Sequence, residues 1–139
     1  MRVHALLALA ALAASAAVAG GAGAAGTAGQ TAVTITYWPD GSKTGEKDVW
    51  TLRCHPAAGT VARPAVACRR LEGGGRKLVA PVPASSICTQ IYGGPQVARI
   101  IGQIEGRRVF ARFTRENGCH IARWNRLAPW LLPRGGVTQ

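Results

Sequence analysis

The sequence predicts an α+β fold, an antiparallel β-sheet of about four to five strands with one or two short helices and two disulfides. Three observations predict it. Several short runs alternate apolar or β-branched residues with polar ones, the period of a half-buried strand. One window opens on a proline and closes on a glycine, the asymmetry of a short helix. Four cysteines, at positions 54, 68, 88 and 119, lie in a chain that begins like an exported one, and an oxidising compartment pairs cysteines.

The export reading rests on the N-terminus. Arg2 precedes a run of Ala, Leu and Val that ends in small-x-small triplets such as Ala17-Val18-Ala19. That is the pattern of a secretory signal peptide. A membrane anchor needs roughly 20 strongly apolar residues, and Gly20 and Gly21 interrupt this stretch too early. Residues 1–25 are therefore expected to be signal peptide and the start of a flexible leader, cleaved between about 19 and 25. The chain has 139 residues, so the remainder fits one domain, over 31–132, with a flexible C-terminal tail over 133–139. The expected location is extracellular.

The first strand is expected over 32–37, where Val33, Ile35 and Tyr37 share a face. Pro39-Asp40-Gly41-Ser42 is turn chemistry. A second strand over 49–54 then presents Trp50, Leu52 and Cys54 together. Pro64 suits the first position of a helix and Gly73 its C-cap, which predicts a helix over 64–71 with Arg69 and Arg70 in its last turn. Gly73-Gly74-Gly75 should end regular structure. Two prolines in 78–86 argue for an extended approach to Cys88. Strands over 97–104 and 108–114 flank Glu105-Gly106, a hairpin turn, with Val109, Ala111 and Phe113 on one face and Arg108, Phe110, Arg112 and Thr114 on the other. In the tail, Pro129 prevents one continuous helix over 121–132, and Trp124 and Trp130 are expected to dock on the domain's own sheet rather than on a membrane.

Charge and motifs narrow the function. Seventeen Lys and Arg against six acids give a formal net charge of +11, a field that attracts anionic partners without choosing among them. The arginines are scattered, which reads first as a soluble basic surface. A cationic secreted binding protein, acting on membranes, cell wall or other polyanions, is the alternative class. Gly21-x-Gly23-x-x-Gly26 has the form of a dinucleotide fingerprint but lies in the leader with no preceding strand. A zinc site from Cys54, His55, Cys119 and His120 matches no finger spacing. Hydrolysis needs a base held on a nucleophile, and no nucleophile elbow is present; Ser85 or Ser86 with His55 or His120 carries no signal of one. The expectation is no enzyme, no metal and no cofactor.

What stands out is Cys88-Thr89-Gln90-Ile91-Tyr92 followed by Gly93-Gly94-Pro95, an extended segment tied at one side by a cysteine and closed at the other by an exposed bend. Four cysteines allow three pairings. The order of these features resembles the subtilisin inhibitor-like family of secreted actinobacterial serine-protease inhibitors. The likeness is carried by Val49 and Leu52 leading to Cys54, by Ala65-Val66-Ala67-Cys68-Arg69-Arg70-Leu71, by Cys88-Thr89-x-x-Tyr92 with Pro95 after it, by Gly106-Arg107-Arg108-Val109, and by Asn117-Gly118-Cys119.

The resemblance implies the bridges Cys54 to Cys68 and Cys88 to Cys119. It implies a reactive loop of Cys88, Thr89, Gln90, Ile91 and Tyr92, with the scissile bond between Gln90 and Ile91 and with Asn117 supporting the loop through its amide. The implied partner is an extracellular, subtilisin-like serine protease, with neither nucleic acid nor stable membrane insertion, and two copies can pair into a homodimer as in some relatives. Such relatives commonly have Asp-Pro directly after the tyrosine. Gly93-Gly94-Pro95 is one residue longer and lacks the acid, which predicts a looser far side of the loop.

Overall fold

A computed structural model describes residues 29–135, so the expected signal and leader lie outside the described residues. Seven elements run in chain order: β1 (Ala32–Trp38), β2 (Asp48–Arg53), β3 (Ala58–Gly59), α1 (Pro64–Gly74), β4 (Val97–Ile104), β5 (Arg107–Phe113) and α2 (Gly118–Asn125). A 3-10 turn, Gly75–Val79, continues from α1. The strands form one sheet in the order β3-β2-β1-β4-β5, with neighbours antiparallel throughout.

Register explains the sheet's two faces. Val33 lies opposite Leu52 and Gly102, and Ile35 opposite Trp50 and Ile100. Ile100 in turn faces Ala111, and Ala98 faces Phe113. The alternation of each strand therefore lines one face with apolar side chains, and Val33, Ile35, Leu52, Ile100 and Phe113 are buried there. Burying each such side chain stabilises the fold by about 1.5–3 kcal/mol. The other face carries Arg99, Arg108 and Arg112 beside the exposed Ile101 and Phe110. Glu105 and Gly106 make the β4-β5 turn, both with positive φ, which matches the twist of an antiparallel hairpin.

Helix α1 runs three residues past the expected end. Gly73 and Gly74 continue it, and Gly75, at φ 55°, closes it with its N–H on Leu71 O. Glycine in a helix costs about 1 kcal/mol relative to alanine. Here the continuation carries the chain into the 3-10 turn that buries Val79 and half-buries Leu78 against the core. Arg69 and Arg70 consequently lie in mid-helix rather than in the last turn, and the Arg70 guanidinium covers the Trp130 ring at 5.8 Å. On the inward side Ala67, Cys68 and Leu71 are buried, and Cys68 is bonded to Cys54 at the end of β2.

The tail docks on the domain. Trp124 and Leu127 are fully buried, Trp130, Leu131 and Leu132 nearly so, and all join the sheet's core. Both indoles are satisfied, Trp124 Nε1 donating to Pro133 O at 2.8 Å and Trp130 Nε1 to Arg126 O at 2.9 Å. The ring of Trp124 meets that of Tyr37 edge-on at 6.1 Å. Its aromatic residues are thus committed to the interior. Among the described residues no helix is long and apolar enough to cross a membrane.

Candidate functional site

The site is the segment 88–95 and the residues beneath it. Thr89, Gln90, Ile91 and Tyr92 are exposed, Ile91 at 60% and Tyr92 at 65%. None of the segment belongs to a helix or strand, so its backbone groups from Gln90 to Tyr92 are not spent on the sheet.

On its near side the segment is held twice. Cys88 is bonded to Cys119 in the first turn of α2, and Thr89 O accepts the Gly118 N–H at 3.0 Å. A Cβ on Gly118 would meet Thr89 Oγ1, so a larger residue there would force that hydroxyl to turn away. On the far side Gly93 is buried. Its N–H donates to Arg115 O at 2.8 Å, and its own carbonyl accepts Arg115 Nε at 3.0 Å. Within Gly93-Gly94-Pro95, Gly93 is thus tied to both the backbone and the side chain of one residue.

Both anchor points come from one short stretch, 115–119, between β5 and α2. Asn117 lies at its centre with extended backbone, and its side-chain oxygen accepts the His120 N–H at 3.1 Å as the N-cap of α2. That amide oxygen is engaged with the helix rather than with the loop backbone, whose bonds go to Gly118 and Arg115.

Two arginines are buried in the domain, and of these Arg115 is the one that touches the loop. Arg123, on α2, donates to Ala80 O at 2.6 Å, Val79 O at 2.8 Å and Arg112 O at 2.6 Å, and lies 3.8 Å over the Phe113 ring. Burial first, and the neighbouring Arg126 second, lower its pKa to about 10, so it keeps its charge at neutral pH. Arg115 is 7% exposed and lies 5.9 Å over the Trp124 ring. Nearby, burial and then the Asp48 charge raise the Tyr37 pKa, which keeps that phenol neutral.

The histidines and cysteines weighed for other chemistry are engaged elsewhere. His55 Nε2 meets Glu72 Oε1 at 2.8 Å, while His120 lies between Glu116 Oε1 at 3.3 Å and Thr114 Oγ1 at 3.3 Å. All four cysteines form disulfides, and among the described residues no group of three or more His, Cys, Asp or Glu could hold a metal ion.

Both expected bridges form, and sequence reasoning missed Arg115 and Gly118 as neighbours of the candidate loop, as it missed the burial of Arg123. Arg115 and Arg123 read as ordinary surface cations. Gly118 had a usable signal, a glycine directly before the loop's cysteine partner.

Fold and site together define a small loop-presenting scaffold, a sheet-and-helix body that braces one solvent-facing segment at both ends. The sequence model of the subtilisin inhibitor-like family matches residues 28–117. The chain belongs to that family, whose members are secreted protease inhibitors rather than enzymes. Among solved structures, sermetstatin of Streptomyces caespitosus, crystallised in complex with Bacillus licheniformis subtilisin, is similar at 27% identity and a TM-score of 0.50, over 75% of this chain and 98% of that chain. Among curated proteins none matches.

Proposed function

We propose that the chain is an extracellular inhibitor of subtilisin-like serine proteases that offers the bond between Gln90 and Ile91 as a substrate it does not release. The observation that carries this reading is the exposed run Gln90-Ile91-Tyr92 between two anchors, Thr89 and Gly93, that both rest on the stretch 115–119. An extended backbone can add as a strand to the protease cleft while Gln90 enters the primary pocket. Anchoring it beforehand removes ordering entropy from the binding step. The solved complex of a relative with a subtilisin supports the choice of partner.

The chemistry belongs to the protease. Its serine oxygen attacks the Gln90 carbonyl, the carbon-nitrogen bond to Ile91 breaks, and the new amine takes the proton that the protease's base removed from the serine. Held in place, that amine attacks the ester, the peptide bond reforms, and the proton returns to the serine oxygen. Cys88 and Thr89 hold the acyl side, and Gly93 the amine side. A neutral Gln90 suits a broad pocket better than a trypsin pocket, whose buried acid it would leave without a cation. Asn117 takes part by fixing the start of α2, which carries Gly118 and Cys119.

The sheet's outer face supports pairing of two copies, since Ile101 and Phe110 are cross-strand neighbours and both exposed. Sedimentation across a concentration series tests that part of the reading.

Titration of the purified protein against subtilisin and trypsin tests the main one. Tight inhibition of subtilisin is expected, and long incubation at low pH should give one nick, between Gln90 and Ile91, with the halves joined by a disulfide. A first cut outside 88–95, or no inhibition of any serine protease, overturns it.

A further inference from the structure

The two sides of the bond are anchored by different means. The near side has a covalent bridge one residue from Thr89. The far side has no covalent tie after Ile91, and its fixed point is Gly93, held by the N–H to Arg115 O and by Arg115 Nε. A cleaved loop keeps its acyl half through Cys88 whatever else happens. Its amine half, beginning at Ile91, stays near the ester only as well as Gly93 stays put.

Arg115 is built for that position at some expense to the fold. Its guanidinium is buried, Nη1 has no hydrogen-bond partner among the described residues, and no carboxylate makes an ion pair with it there. Burying a cation that is only partly compensated is costly, and apolar side chains fill such a place at lower cost. The seat is also shaped to the pair. A Cβ on Gly93 would come within 2.8 Å of the Ile121 side chain and 3.1 Å of Arg115 Nη2, so glycine lets the loop descend onto the guanidinium. Packing over Trp124 at 5.9 Å ties the cation to the core of the domain.

We infer that Arg115 is the positioning residue for religation: it holds Gly93, and through Gly93 the Ile91 amine, within reach of the Gln90 ester. This rests on the reading of Gln90 to Ile91 as the scissile bond. Through this contact Gly93-Gly94-Pro95, one residue longer than the relatives' segment, can serve an inhibitor.

The test compares two buried arginines. Arg115→Lys removes Nε from Gly93 but keeps a long cationic side chain. Arg123→Lys perturbs an equally buried guanidinium whose carbonyl partners are Val79, Ala80 and Arg112. Each variant is incubated with catalytic subtilisin well below its melting temperature. Net hydrolysis of the Gln90 to Ile91 bond is measured, as is regeneration of intact chain from purified nicked protein. Arg115→Lys should be hydrolysed at least ten-fold faster than wild type and regenerate at least ten-fold more slowly. The rate at which it first associates with the protease should stay within two-fold. Arg123→Lys should match wild type in both reactions even if it melts earlier. Hydrolysis of Arg115→Lys no faster than that of Arg123→Lys overturns the inference. Should Arg115→Lys fail to fold, Gly93→Ala carries the test, with faster hydrolysis expected and an unchanged rate overturning it. Failure of the underlying reading is separately visible, because wild type itself would then show no nick at Gln90 to Ile91.

Discussion

The two disulfides do different work. Cys54–Cys68 lies in the core, both residues buried, and ties the end of β2 to the inward face of α1. Cys88–Cys119 lies at the surface, half-buried, and ties an exposed segment to α2. Chain entropy ranks them the other way round: with separations of 14 and 31 residues, closing the loops is worth about 3.0 and about 3.7 kcal/mol. That ranking holds only if the native state is equally rigid without the bond. Around Cys54 the core enforces that rigidity. Around Cys88 most of residues 80–92 is exposed, so releasing the bond frees the native loop as well as the unfolded chain. A bridge in the body acts on stability, and one beside the loop acts on geometry.

The largest expected effect belongs to the body. Trp124 is fully buried, donates to Pro133 O and lies under both Tyr37 and Arg115. Trp124→Ala should lower stability by about 4 kcal/mol in urea unfolding, the cost of a large core truncation. A loss under about 1 kcal/mol would mean that the tail is not part of the core.

Next come the bridges. Cys54→Ser with Cys68→Ser should cost about 3 kcal/mol or more, since it also leaves two hydroxyls in the core. Cys88→Ser with Cys119→Ser should cost clearly less and remain largely folded, yet be cleaved by subtilisin as an ordinary substrate. Equal losses of stability, or undiminished inhibition by the second pair, would break the contrast between body and loop.

A smaller effect is expected at Asn117. Loss of an N-cap costs about 1 kcal/mol. Asn117→Ala should therefore lower the melting temperature modestly and, by loosening the start of α2 under Thr89, speed cleavage of the loop. Unchanged cleavage with the lowered melting point would leave Asn117 as a cap and nothing more.

The same division separates what the sequence made legible from what it hid. Alternation marked β1, β2 and β5, because one face is core and the other solvent, and Val33, Ile35, Leu52, Val109, Ala111 and Phe113 are buried as expected, whereas Thr114, expected outward, is buried just beyond the end of β5. Pro64 marked the start of α1, but its end was hidden, since packing of Leu78 and Val79 outweighs the weak helix propensity of Gly73 and Gly74. The two-residue β3 pairs only Leu52 and Arg53 and is too short to carry a period. At the site, the exposed residues were legible through the motif. Their supports were not: Arg115 looks like a surface cation until the fold shows that it bonds the Gly93 carbonyl, and Gly118 matters through its N–H to Thr89 O, far away in sequence.

The smallest effect on stability should accompany the largest change in target. Gln90 is exposed, and its side chain makes only a long bond, Nε2 to Cys88 O at 3.4 Å. Replacing it should move stability by less than about 0.5 kcal/mol. If position two after Cys88 is what enters the protease pocket, Gln90→Lys supplies the cation that the buried acid of a trypsin pocket pairs with, so trypsin inhibition should appear or strengthen. A broad subtilisin pocket takes either side chain, and inhibition there should change little. Gln90→Pro should abolish both, because the ring fixes φ and removes the N–H needed for strand addition. The melting curve separates site from fold: all three proteins should melt alike while their inhibition profiles diverge. Profiles that did not change with residue 90 would move the scissile bond away from Gln90 and leave the two anchors bracketing a loop with some other contact residue.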